Sequence, residues 1–310
     1  MACRGPLFSL VVQEIDAEIK ADVDQNRGTR LPADMPIRRL GIDDLPDCML
    51  LAQDREWLSE EHRWRLLFDV GEVYGIDAPG GGLAGAVVSS RYGTGIAAIG
   101  MMLVAREHER RGLGRRLMTH ALDRSGTASV WLSATDYGRP LYERLGFRAI
   151  GHCSAYTGSF RSSRSDPARP VSRPMAASDL PAVLALDAEV CGVPRTELVT
   201  RLPAFCTSMR VVEGPSGITG YGGAWRNESV TALGPLIAGD EPTALALLSD
   251  LAAEAEGTLR VDVEHRWPAL IDWAVEHGLS RAFTTAVMIR GADLPGDRDR
   301  LFLPVALALG

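Results

Sequence analysis

Apolar runs and helical spacings follow one another along the chain in a repeating order. Ala97-Ala98-Ile99-Gly100-Met101-Met102-Leu103-Val104 predicts a buried strand over 97–104. Just after it Leu113, Leu117 and Ala121 recur at helical spacing, with Met118 and Leu122 beside them, and predict a helix opening near 113. Ser129-Val130-Trp131-Leu132-Ser133-Ala134-Thr135 reads as another buried strand. Upstream, the pattern predicts a helix over 60–68, a strand over 72–77, a glycine turn at 80–82 and a strand over 83–90. Downstream it predicts a helix over 194–205 and strands over 209–213, 218–225 and 229–233. A helix over 242–255, a strand over 259–263 and a helix over 268–277 follow, with last strands within 280–290 and 300–307.

The order repeats because the chain contains two related copies. Arg38, Asp44, Leu45 and Pro46 match Arg173, Asp179, Leu180 and Pro181 at one fixed offset of 135 residues. In each copy a strand ends and a helix begins. Asp43 or Ser178 is placed to cap the helix, and the proline suits its first turn. Between the copies, Ser162-Ser163-Arg164-Ser165-Asp166-Pro167-Ala168-Arg169-Pro170 has linker composition. The expected organisation is an extension over 1–34, a first domain over 35–161, a linker over 162–170 and a second domain over 171–310. Met35, just after the polar stretch, is a candidate start position alongside Met1.

Composition narrows the class. A chain of 310 residues suits two domains, and 46% hydrophobic with 24% charged residues fits a soluble globular protein. A net charge of −7 argues against nucleic acid as a partner. No apolar run approaches the roughly 20 residues that span a bilayer. The five cysteines are odd in number and lack metal or redox spacing, so reduced thiols in a cytoplasm are expected, with Cys48 and Cys206 as small core residues. The six histidines show no ligand spacing, and no metal is expected.

The stretch Glu109-Arg110-Arg111-Gly112-Leu113-Gly114-Arg115-Arg116 joins the strand over 97–104 to the helix after it. Glycines let backbone N–H groups turn inward with no Cβ in the way, and a helix start adds unpaired donors and partial positive charge. With four arginines around the turn, a pyrophosphate site is implied, the alternative being a basic solvated loop. The loop lacks the lysine-serine or lysine-threonine pair of a Walker loop, and Leu117 stands where a dinucleotide fingerprint needs a third glycine.

A second motif, Gly138-Arg139-Pro140-Leu141-Tyr142-Glu143-Arg144-Leu145-Gly146-Phe147, follows the strand over 129–135. The two motifs, in this order, resemble the GNAT acetyltransferase superfamily. Gly100-Met101-Met102-Leu103-Val104 and its echo Gly234-Pro235-Leu236-Ile237-Ala238 give the tandem arrangement a resemblance to the YitH-like subgroup. The resemblance implies an α/β (α+β) fold of two tandem domains, each a mixed, mostly antiparallel twisted sheet flanked by helices. It implies acetyl-CoA as cosubstrate, its pyrophosphate held by Arg110, Arg111, Gly112, Leu113, Gly114 and Arg115. Backbone groups of Leu103 and Val104 would hold the pantetheine arm, and Tyr142 would be the general acid. The implied activity is acetyl transfer to a primary amine of a small molecule or peptide by direct attack on the thioester, in a monomer or homodimer. The alternative is a non-catalytic acyl-CoA sensor or scaffold.

One departure stands out: Glu109 occupies a position where the family usually has Gln or Arg. The second copy departs further. Its loop, Ala238-Gly239-Asp240-Glu241-Pro242-Thr243-Ala244, has no Gly-x-Gly and no arginine, and Ala274 stands where Tyr142 would be. Negative charge there opposes a pyrophosphate. One active site, in the first domain, is therefore expected, with the second domain shaping or covering it. Glu72, Asp136 and Glu107 are base candidates by position alone. Asp262, Glu264, His265 and Trp267 could hold a cationic acceptor or form an ordinary polar strand end.

Overall fold

The computed structural model describes residues 35–57, 60–162, 170–215, 217–228 and 230–310. The expected extension over 1–34 and most of the expected linker lie outside these residues. Residues 37–310 form one unit.

Its first half runs β1 (Arg38–Arg39), α1 (Leu45–Asp54), α2 (Glu61–Val70), β2 (Glu72–Asp77), β3 (Leu83–Tyr92), β4 (Ile96–Val104), α3 (Leu113–Ser125), β5 (Ser129–Ala134), α4 (Arg139–Arg144) and β6 (Arg148–Ser159). The second half repeats the plan: β7 (Ser172–Pro174), α5 (Leu180–Cys191), α6 (Thr196–Val199), α7 (Leu202–Phe205), β8 (Ser208–Gly214), β9 (Gly217–Arg226), β10 (Val230–Ala238), α8 (Glu241–Glu254), β11 (Thr258–Glu264), α9 (Pro268–Glu276) and β12 (Ser280–Gly291). A short β13 (Leu301–Leu303) follows.

The repeated Arg…Asp pair is a structural clip. Arg38 donates to both carboxylate oxygens of Asp44 at 2.7 and 3.0 Å, and Arg173 does the same to Asp179 at 2.6 and 3.0 Å. Each aspartate also accepts the backbone N–H three residues earlier, from Gly41 at 2.8 Å and Ala176 at 2.7 Å. Asp44 and Asp179, not Asp43 and Ser178, occupy the N-cap positions of α1 and α5, and their carboxylates bond to the upstream turn rather than to the helices' first amides. The aspartate sits at the end of a 3₁₀ turn, close enough to reach both the arginine and the turn's first amide.

The described strands form a single sheet in the order β1-β2-β3-β4-β5-β12-β6-β11-β10-β9-β8-β7, with β13 paired to β10. Only β4/β5 and β10/β11 are parallel. The two halves approach from opposite ends and exchange their last strands at the centre. There β12 of the second half pairs with β5 of the first, and β6 of the first pairs with β11 of the second. β6 and β12 pair with each other. The two sheets expected from sequence are therefore one. β6, which no pattern had marked, is the strand that joins them.

Two other differences have local causes. The helix expected over 194–205 breaks into α6 and α7, because Pro203 in the first turn of α7 donates no N–H and begins a new turn. β10 runs past its expected end at 233, because Gly234 (φ +151°) and Pro235 make a bulge that shifts its register against β9 rather than ending it. One core cluster takes Trp64 and Leu67 from α2 together with Val183, Leu198 and Leu202 from the second half. Another gathers Leu247, Leu251 and Leu270 from α8 and α9 around Phe302. Among the described residues no helix is long and apolar enough to cross a membrane.

Candidate active site

β4 and β5 pair in parallel only from Ile96 to Ile99 against Ser129 to Leu132. Beyond this they part. Met101, with φ +47°, lies in a bulge that shifts the register of β4 against β3 between Gly100 and Leu103. The backbone of 100–104 is left without a strand partner on its β5 side. A groove of about 640 Å³ opens there, bounded by Met101 to Val104 on one wall and by Ser133, Thr135, Gly138, Leu141 and Tyr142 on the other.

The basic turn closes one end of the groove. Arg110 (φ +57°) and Gly112 (φ +82°) are both left-handed, and Gly112 is the N-cap of α3, with no side chain among the described residues capping the helix. Among the described residues nothing accepts from the first N–H groups of α3, and Leu113, Gly114 and Arg115 border the groove. Gly114 lies just inside the helix, where an added Cβ would fall 3.3 Å from Met102 Cε and 3.4 Å from Leu141 Cδ2. Arg110, Gly112, Leu113, Gly114, Arg115, Leu103, Val104 and Tyr142 all border the groove, whereas Arg111 does not. Leu113 and Leu103 are buried, so what they present to the groove is chiefly backbone.

Tyr142 is 8% exposed and packs edge-on against Phe147, with ring centroids 6.0 Å apart. Gly138 makes room for its ring: a Cβ there would lie 3.0 Å from Cε2 and 3.3 Å from the phenolic oxygen. Burial pushes its pKa up to about 12. The phenol therefore holds its proton across the physiological range.

Glu109 does not face the turn as a bare charge. It is ion-paired with Arg55 from the end of α1, whose guanidinium lies over the Tyr137 ring, 5.5 Å from its centroid. Burial favours its neutral form, but the neighbouring Tyr137 hydroxyl and Arg55 guanidinium outweigh burial and hold its pKa below the usual value.

The second half keeps the splay and fills it. β10 leaves β11 after Leu233, and β13 takes the vacated side, pairing Leu236 with Leu303 and Ile237 with Leu301. Phe302 stacks on Trp267 at 4.2 Å, and Arg266 donates to the Leu301 carbonyl at 2.8 Å. The start of α8 is capped by Asp240, which accepts from the Thr243 N–H at 2.9 Å. What is open in the first half is closed in the second by the chain's own atoms.

Two GNAT acetyltransferase domain models match the chain in tandem, over residues 69–149 and 183–303. The chain belongs to the GNAT acetyltransferase superfamily. It is 26% identical over 255 residues to the uncharacterized N-acetyltransferase YitH of Bacillus subtilis (strain 168), covering 81% of this chain and 89% of YitH. The fold is shared with a putative acetyltransferase from Pyrococcus horikoshii, at TM-score 0.74 and 17% identity over 91% of this chain and 98% of that one. It is also shared with a tandem GNAT protein from the clavulanic acid biosynthesis pathway, at TM-score 0.58 and 13% identity over 84% and 99%. GNAT acetyltransferases are acyltransferase enzymes that take acetyl-CoA as cosubstrate. The groove suits that molecule: open N–H donors and arginines at one end match a pyrophosphate, and an unpaired strand edge matches an amide-bearing arm.

The remaining candidates separate. Glu72, Asp136 and Glu107 do not border the groove; Glu72 accepts from Tyr74 at 3.0 Å, and Glu107 pairs with His108 at 3.0 Å. Asp262 is held by Arg260 at 2.9 Å, and Glu264 by Arg266 at 3.0 Å and Arg298 at 2.8 Å, so neither is a free charge for a cation. His265 Nε2 meets Ser154 Oγ at 2.7 Å. Cys48 and Cys206 are thiols whose pKa burial pushes to about 12.

The residue that sequence reasoning missed is Ser133. It borders both the groove and a second cavity of about 70 Å³, lined by Ala98, Trp131, Val287 and Leu309 among others. Among the described residues its buried hydroxyl has no hydrogen-bond partner. Its place on β5, just past the last residue paired with β4, is the signal, and the splay makes that place matter.

Proposed function

We propose that the protein is an acetyl-CoA-dependent N-acetyltransferase with one active site, in its first half, acting on a primary amine. The observation that carries this is the conjunction of the splayed β4/β5 pair, the open start of α3 and a buried, protonated Tyr142 in one groove. By this reading Arg110, Arg115 and the amides at 113–115 hold the pyrophosphate. Backbone groups at 101–104 hold the arm and polarise the thioester carbonyl. The amine nitrogen attacks the carbonyl carbon, the carbon–sulfur bond breaks, and the amine's proton leaves to water. Tyr142 donates a hydrogen bond to the departing sulfur. Because its pKa is near 12, complete transfer to a thiolate is uphill, and stabilisation of the developing charge is its main contribution.

The acceptor reaches the thioester past Ser133, from the cavity that lies between the halves. The second half and the segment over 304–310 wall that cavity: Leu307, Leu309 and Gly310 line it, with Val190 and Cys191 opposite. Its lining is mostly apolar, and the nearby acids are already paired. A small amine with a short aliphatic body suits it better than a polycation.

The test is thiol release from acetyl-CoA with a panel of amines: isoamylamine, phenethylamine, spermidine, free amino acids and peptides with free N-termini. Turnover with at least one amine, strongest for the short aliphatic ones and depressed in Tyr142→Phe, is expected. Tight coenzyme binding with no turnover across the panel would favour the sensor reading instead.

A further inference from the structure

Met101 is the strained residue of the splay. A non-glycine residue at φ +47° is disfavoured by its own Cβ, and such a conformation persists only where the surroundings hold it. The Met101 side chain is buried, and Arg63 donates from Nη2 to its Sδ at 3.5 Å. Arg63 comes from the first turn of α2 and is itself buried. It is ion-paired with Glu60, which is 3% exposed. Glu60 stands at the N-cap of α2, yet among the described residues no side-chain hydrogen bond caps that helix; the carboxylate goes to Arg63 instead. The same turn is seated on the second half. The His62 ring stacks on Phe205 of α7 with centroids 4.3 Å apart, and its Nε2 lies 2.8 Å from the Phe205 carbonyl oxygen.

A buried ion pair is a poor way to stabilise a fold. The cost of desolvating two charges offsets much of their attraction, and apolar residues of similar volume are often at least as stable. The Glu60–Arg63 pair therefore asks for a reason beyond stability, and the atom that Arg63 reaches supplies one. Met101 borders the groove and opens the amide edge of 101–104, whereas Glu60 and Arg63 do not border it. If Met101 relaxed toward the ordinary strand region, its peptide planes would rotate and the amides beside it would turn away from the groove. We propose that Glu60 and Arg63 are positioning residues for thioester activation: the pair tethers Met101 in its left-handed turn and so keeps the amides of 101–104 aimed at the acetyl carbonyl. This rests on the reading that acetyl-CoA occupies the groove.

The experiment is difference infrared spectroscopy of acetyl-CoA isotopically labelled at the acetyl carbonyl, free and bound, beside calorimetric titration. Removing one partner alone leaves a buried charge and endangers the fold, so the first variant replaces both, Glu60→Leu with Arg63→Met, keeping similar volume without charge. The second variant, Met101→Leu, removes the sulfur and keeps the bulk.

In wild type the carbonyl stretch is expected to move to lower wavenumber on binding, the signature of a polarised carbonyl. Both variants are expected to bind acetyl-CoA with little change in affinity and to lose most of that movement. With an amine that wild type acetylates, kcat should fall about 10–100-fold in the pair variant while the KM for acetyl-CoA changes little. A full wild-type shift of the stretch in either variant overturns the tether. Affinity that weakens in step with the lost shift would mark a merely structural role and overturn it too. Wild-type protein that does not bind acetyl-CoA, or binds it with no movement of the stretch, would overturn the groove reading itself. Failure of the tether alone leaves the wild-type shift intact.

Discussion

Gly112→Ala separates the backbone's contribution to coenzyme binding from every side-chain contribution. Gly112 has φ +82° and ψ 1°, and an added Cβ would meet nothing within 4 Å. The substitution therefore introduces no clash and removes no contact. Its whole effect is the cost of holding an alanine in the left-handed region, about 1–2 kcal/mol. That cost can appear in two places. If the turn keeps its shape, stability falls by about 1–2 kcal/mol and affinity is spared. If the turn relaxes, stability is spared, the first N–H groups of α3 swing away, and affinity for acetyl-CoA falls by a factor of about 5–30. Relaxation is the expected outcome, because Arg110, two residues earlier, is already left-handed at φ +57° and can take up the change. Urea unfolding of the free protein and calorimetric titration with acetyl-CoA measure both terms. If both stability and affinity match wild type, the turn does not present its amides as described.

Other variants probe other parts. Tyr142→Phe should lower turnover about 10²-fold with coenzyme affinity nearly unchanged; steady-state rates with the best amine, beside a calorimetric titration, check this. Arg195→Met should destabilise the fold by about 3–5 kcal/mol, because it leaves Asp187, 1% exposed at its side chain, facing Tyr221 without its cation; urea unfolding measures it. Asp179 is held at about 2 by Arg173 and the Ala176 amide, below its unfolded value of about 3.9, so its stabilisation is present above pH 4 and lost as pH falls toward 2. The gap in unfolding midpoint between wild type and Asp179→Asn should accordingly be largest near neutral pH and close with acidification.

Local pattern carried much of this fold. The strands over 72–77 and 97–104 and the helix opening at 113 follow directly from spacing, because each keeps one face or both buried within a short segment. The basic turn at the start of α3 was legible for the same reason: glycines, arginines and a helix start lie within eight residues. What lay hidden depends on residues far apart in the chain. β6 has an exposed start and shows no clean alternation, since it pairs with two strands of the other half. Nothing in 148–159 alone reveals that exchange. It also means that cutting the chain near 162 would strip β12 from β5 and leave β6 without both neighbours, so point variants test the acceptor site better than an isolated half. A strand within 300–307 was expected and is β13, but its role in filling the splay beside β10 depends on pairing with residues far back in the chain and was not legible. The charge at Glu109 is balanced by Arg55, 54 positions earlier, a pairing that no local pattern encodes.

Hydrogen exchange with and without acetyl-CoA tests the central claim most directly, since the claim concerns which backbone amides the coenzyme uses. Binding should slow exchange at 101–104 and 110–116 in the first half and leave the equivalent segments over 234–244 unchanged, with titration saturating at one equivalent per chain. Protection over 234–244, or saturation at two equivalents, would show that the second half also holds coenzyme. Saturable binding without protection at 101–116 would place the coenzyme elsewhere and contradict the account.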